Sequence, residues 1–95
     1  MKLSTKQVEA MSAKGIPEYM QGGIIRYYEN GIPPGDFLSA VINNDLQETF
    51  GRADDVNRQC IRCYVMWFYN HAPAGTWGYQ GAVAKYLQKF HKEST

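Results

Sequence analysis

Cysteine, histidine, paired carboxylates and arginine are the residues of this chain that could do chemistry, and their spacing says which chemistry is open to them. Cys60-Ile61-Arg62-Cys63 is a CxxC pair. A redox dithiol of this kind belongs at a helix N-terminus that follows a strand, where the dipole lowers a thiol pKa. The pattern here places it a turn or more inside an apolar helix, which favours two small buried hydrophobes. Zinc needs two further ligands. His71 and His91 are the only histidines, their spacing matches no zinc-finger pattern, and no metal site is expected. His71 stands beside a predicted helix end with no nucleophile motif near it. Asp54 and Asp55 are adjacent, so on a helix they point apart and suit capping better than acid–base work. The Gly31 to Gly35 stretch is not a phosphate loop, because its prolines remove backbone donors and no Lys-Ser/Thr follows. No catalytic set emerges and no cofactor is implied, so an enzyme is disfavoured.

Binding is better supplied. Arg26, Arg52, Arg58 and Arg62 all lie mid-chain, whereas the six lysines lie towards the ends. Arginine near aromatic helices makes bidentate or stacked contacts, and lysine on outer helices mainly keeps a protein in solution. Aromatics make up 14% of the residues, seven of them Tyr. Tyrosine suits half-buried positions, interfaces and base-stacking pockets. Arg52 falls between two predicted helix ends, the second an N-terminus that attracts anions. With the free N–H groups after Asp54 it could hold a phosphate or carboxylate. The alternative is an ion pair with Asp54, Asp55 or Asp45 that shuts the turn, and such pairs are common at junctions. The candidate ligand-binding set is Arg26, Tyr27, Arg52, Arg58 and Trp77, with rings to stack bases and guanidinium groups to hold phosphates.

The elements that must position these residues read as helices throughout, since no segment sustains period-two alternation. The expected fold is all-α: a compact single-domain bundle of four to five amphipathic helices around a buried central helix at about 54–70. That central stretch, Asp54 to Tyr69, is apolar on nearly every side after Arg58, as an enclosed helix would be. Before it, Ser4 and Gln7 mark the start of a short first helix, which ends near Gly15 and is expected to be loosely attached. Pro17 to Asn30 forms the second helix, with Met20, Ile24 and Tyr27 as its buried stripe. Its Gly22-Gly23 pair costs ~1 kcal/mol per glycine relative to alanine, which close helix approach, or a ligand, would offset. Gly31 ends it, and Ile32 is placed for a hydrophobic closing contact. Asp36 caps a third helix, Phe37 to Phe50, with Phe37, Leu38, Val41, Ile42, Leu46 and Phe50 on one face. After the loop from Ala72 to Gly78, in which Trp77 should plug back into the core, Tyr79 to about Phe90 is the last helix. The tail over 91–95 is expected to fray.

Ninety-five residues fit one domain spanning 1–95. A net charge of +1 leaves no general pull towards duplex DNA or an anionic membrane. Two cysteines and no signal-like start suit a reducing, intracellular setting, and the longest apolar run is too short to cross a bilayer.

The motifs also form an ordered set. They are Pro17-Glu18-x-Met20-x-Gly22-Gly23, Tyr27, Gly31-Ile32-Pro33-Pro34-Gly35-x-Phe37-Leu38-x-Ala40-Val41, Asn44-Asp45-Leu46, Gly51-Arg52-Ala53-Asp54 with Asn57, and Tyr69-Asn70-x-Ala72-Pro73 with Trp77-Gly78. Together, from Pro17 to Leu87, they resemble a family of small proteins encoded by tailed bacteriophages and prophages. The chain departs from that pattern after Gly78, where the family tends to have Ser-Pro-Glu and this chain has Tyr79-Gln80-Gly81, weakening the cap of the last helix. The Cys60/Cys63 pair is also peculiar to this chain. The resemblance carries no activity across; it implies a phage accessory protein in the host bacterial cytoplasm. The expectation is a non-enzymatic counter-defence binder that sequesters a small nucleotide signal or blocks a host defence protein, and that self-associates as a homo-oligomer. A structural or DNA-transaction role through a protein partner is the alternative.

Overall fold

Local capping decides where the helices begin. The computed structural model describes residues 1–93, which form seven helices and no strand. In α1 (Thr5–Ala13), Ser4 Oγ accepts the Gln7 N–H at 3.1 Å, and Gln7 Oε1 accepts the Ser4 N–H at 2.7 Å. This is the reciprocal capping the spacing predicts. Where the sequence suggests loose attachment, α1 buries Met11 completely, with Leu3 and Ile16 nearly so. Gln7 ties it further: its carbonyl accepts the Trp67 indole N–H at 2.9 Å and its amide donates to the His71 carbonyl at 2.7 Å.

Helix α2 (Glu18–Asn30) starts after Pro17 and closes on Gly31 in the left-handed region at φ 64°. It buries Ile24, Tyr27 and Tyr28. A Cβ on Gly23 would lie 3.5 Å from Leu38 Cδ1, so that glycine permits close approach to the next helix. Ile32 does not make the expected closing contact and is 47% exposed. The Phe90 ring covers Gly31 instead, where a Cβ would overlap it.

The expected third helix is two. Helix α3 (Asp36–Ile42) and α4 (Leu46–Arg52) meet at a break where Asn44 adopts φ 58° and Asp45 caps α4 by accepting the Glu48 N–H at 3.1 Å. Asn tolerates the left-handed region and Asp is a strong N-cap, so the local signals override the apolar repeat. Phe37, Leu38, Val41 and Ile42 are buried, but the break swings Leu46 and Phe50 out to 71% and 47% exposure. Gly35, not Asp36, is the N-cap of α3.

The central stretch also divides, into α5 (Asp55–Arg58) and α6 (Ile61–His71). Asp54 caps α5 by accepting the Asn57 N–H at 2.7 Å, and buried Asn57 accepts the Tyr64 hydroxyl. Tyr64, Trp67 and Phe68 are fully buried at i, i+3, i+4, whereas Tyr69 is 75% exposed and Val65 also faces outward. The helix is therefore two-faced rather than enclosed. Helix α7 (Ala82–Glu93) begins three residues after Tyr79, because Gly78 and Gly81 hold φ 89° and 85°. It buries Ala82 and Tyr86 and continues past Phe90 through Glu93. The rest of the expected frayed tail, 94–95, lies outside the described residues.

A file of ring contacts joins the elements: Phe90 to Tyr86, Tyr86 to Tyr27 and Tyr28, Tyr28 to Trp67, Trp67 to Phe68, and Phe68 to Trp77. Burial raises the Tyr27, Tyr28 and Tyr64 hydroxyls well above their ordinary value of 10.0. Above that pH the unfolded chain ionises while the folded chain keeps its protons, so stability falls as pH rises. Urea titrations should show stability unaffected by these tyrosines below about pH 9 and dropping steeply above pH 10. The docking of α1 has its own test: Met11→Ala should cost about 2–5 kcal/mol of global stability in urea titration. A cost near zero would mean that α1 is an appendage.

Candidate functional site

A recess of about 480 Å³ opens between the loop from Ala74 to Tyr79 and α7. Helical spacing puts Lys85 and Lys89 one turn apart, and Tyr86 and Phe90 likewise, so α7 presents a charged row beside an aromatic row. Opposite them stand Gly75, Thr76 and Tyr79, with Met1 and Glu93 at the margins. The loop is held from several sides. The Gly78 N–H donates to the Ile42 carbonyl at 2.7 Å, and Thr76 Oγ1 donates to the Pro73 carbonyl at 2.6 Å. Thr76 Oγ1 also meets the Tyr28 hydroxyl at 2.8 Å. The Tyr79 hydroxyl donates to the Gly75 carbonyl at 3.1 Å, orienting its ring, and Lys85 Nζ lies 5.8 Å from that ring's centre. Beneath, the Tyr28 carbonyl accepts both the Tyr86 hydroxyl and the Met1 amino group.

This volume falls within the range of small-molecule sites, which combine apolar walls with a few placed polar groups. Two lysines against one glutamate favour an anion, and the rings of Tyr79 and Phe90 offer flat apolar surface. Among the described residues no group of three or more His, Cys, Asp and Glu is placed to hold a metal, and no helix is long and apolar enough to cross a membrane.

The five residues singled out by sequence line no common recess. Arg26 is exposed, with its guanidinium folded over Gly22. Tyr27 is fully buried and its hydroxyl has no hydrogen-bond partner. Arg52 pairs with Glu48 at 2.9 Å and Asp36 at 3.6 Å, not with Asp45, Asp54 or Asp55. It lines a shallow recess with Asp36, Asp45 and Glu48, whose carboxylates disfavour an anion there. Arg58 pairs with Asp55 at 3.2 Å and donates to the Ala53 carbonyl at 3.1 Å. The helix start beside Arg52 is already occupied, since the Asn57 N–H and then the Tyr19 hydroxyl hold the Asp54 carboxyl below its usual range. Half-buried Trp77 does pack back, against Phe68 at 5.5 Å, and lines a smaller recess of about 140 Å³ with Leu46, Ile61 and Val65.

The sequence places Lys85 and Lys89 on the wet side of the last helix, and both are exposed there. Their i, i+4 spacing runs in step with Tyr86 and Phe90, which line the same recess. The CxxC expectation is corrected too. The helix breaks at Gln59, so Cys60 is the N-cap of α6 and Cys63 lies one turn on; both are half-buried, not interior. The hydrogen bond to Cys63, with burial, pushes the Cys60 thiol up to about 11.

Comparison with protein-family models, with curated proteins and with solved structures returns no match.

Tyr27 gives a test of its assignment. Tyr27→Phe removes a hydroxyl that is buried without a partner, so stability should hold or rise by up to about 1 kcal/mol. Tyr64→Phe leaves the Asn57 side-chain oxygen without the Tyr64 hydroxyl and should cost about 1–3 kcal/mol in the same urea titration. A large loss for Tyr27→Phe would mean that its hydroxyl has a role.

Proposed function

We propose that the chain is a non-catalytic binding protein whose recess between the Ala74–Tyr79 loop and α7 takes a small anionic ligand bearing a flat ring, of the nucleotide class. One observation carries this reading: Lys85 and Lys89 flank Tyr79 and Phe90 around a recess of about 480 Å³. The lysines would hold phosphate and the rings would stack the base. In the setting implied by the phage-protein resemblance, tight binding without turnover sequesters a small nucleotide signal of host defence in the bacterial cytoplasm.

A second reading, docking of a host protein or of a second copy, is favoured by a different surface. Leu46 and Phe50 on α4 and Val65 and Tyr69 on α6 are exposed apolar side chains, and Leu46 and Val65 flank the recess that Trp77 lines. Aromatic and apolar anchors around a pocket suit a protein partner.

Calorimetry with a panel of mono-, di- and cyclic oligonucleotides separates the two. A ligand present at 100 times its Kd should add ~2.7 kcal/mol of stability. Lys85→Glu and Lys89→Glu should each weaken binding by roughly tenfold or more, while Arg52→Ala leaves it unchanged. If no nucleotide binds and light scattering shows assembly that Leu46→Glu abolishes, the second reading takes its place.

A further inference from the structure

The start of α6 brings two sulfurs together for which the binding reading has no use. Cys60 Sγ and Cys63 Sγ lie 2.6 Å apart, closer than non-bonded sulfurs ordinarily rest, and within ~0.6 Å of a disulfide bond length. Their spacing is that of an N-cap and the third residue of the same helix, so one turn carries both on one side. The break at Gln59 frees Cys60 from helical geometry, with φ −122° and ψ 17°. On the other flank stands Gly15. Its carbonyl accepts the Cys60 thiol at 3.1 Å, and a Cβ there would lie 3.1 Å from Cys63 Sγ. A side chain at Gly15 would crowd the pair, and its φ of 90° also favours glycine.

We propose that Cys60 and Cys63 form a reversible intramolecular disulfide, making the start of α6 a site of two-electron oxidation driven by exchange with a small-molecule disulfide. One protein thiol loses its proton and attacks a sulfur of the small disulfide; that S–S bond breaks and one small thiolate leaves. The second protein thiol, deprotonated in turn, attacks the protein-bound sulfur of the mixed disulfide and expels the second small thiolate. The Cys60–Cys63 bond forms, two protons pass to the released thiolates, and the protein pair is oxidised as the small disulfide is reduced to two thiols. Oxidation also removes the thiol that donates to the Gly15 carbonyl, which loosens the tie between α6 and the corner that follows α1.

The test uses the unmodified full chain, equilibrated against glutathione buffers of rising oxidised-to-reduced ratio, then quenched and alkylated. The expected result is a single species that has lost two hydrogens, binds no alkylating agent, runs as a monomer without reductant and regains both labels after dithiothreitol. The fold should favour the bond by at least roughly tenfold over the same chain in urea. Cys63→Ser and Cys60→Ser should each stop at a mixed disulfide with one glutathione. Two thiols that stay alkylatable at the most oxidising ratio would overturn the proposal. So would oxidation that yields only interchain links, or equal constants in the folded chain and in urea.

Discussion

A single indole holds the helices in register. Trp67 is fully buried, and its one polar atom must find an acceptor inside the protein or carry a desolvation cost of about 1–3 kcal/mol. It finds the Gln7 carbonyl, in the first turn of α1. That bond fixes how far along α6 the first helix can sit, and the Gln7 amide, bonded to the His71 carbonyl, fixes the far end. From the same ring the aromatic file runs through Tyr28 to Tyr86, so α2 and α7 take their places from it as well. The recess follows from this arrangement, because Thr76 and Tyr86, which line it, are both hydrogen-bonded to Tyr28.

The parts of the fold that could be read from sequence are those in which local and apolar signals agree. Ser4 and Gln7 announced α1, and Pro17 and Gly31 bracketed α2. Where the two signals disagree, the apolar repeat misled. Phe37 to Phe50 keeps helical spacing throughout, yet Asn44 and Asp45 supply a left-handed residue and a cap in its middle. Asp54 to Tyr69 is apolar enough for one long helix, yet it turns at Gln59 and Cys60. The same conflict hid the outward faces of Leu46, Phe50, Val65 and Tyr69.

The site was less legible, for a reason of range. Glu48 with Arg52 and Asp55 with Arg58 stand at i+4 and i+3, so their pairing was visible locally and should have lowered expectations of a free guanidinium. What made Lys85 and Lys89 interesting was not local. It required the Ala74–Tyr79 loop to fold back over α7, and that depends on bonds between residues far apart, such as Tyr28 with Thr76. No spacing within one segment encodes such a contact.

The break between α3 and α4 reaches beyond those helices. Ile42 accepts from Gly78 in the loop, and Asn43 Oδ1, 40 positions earlier in the chain, accepts the N–H of Val83 in the first turn of α7. Both walls of the recess are thus tied to one short turn that does not line it. The shape of the recess is therefore set partly from a distance, so that a change at Asn43 would reach its walls while every lining side chain stays as it is.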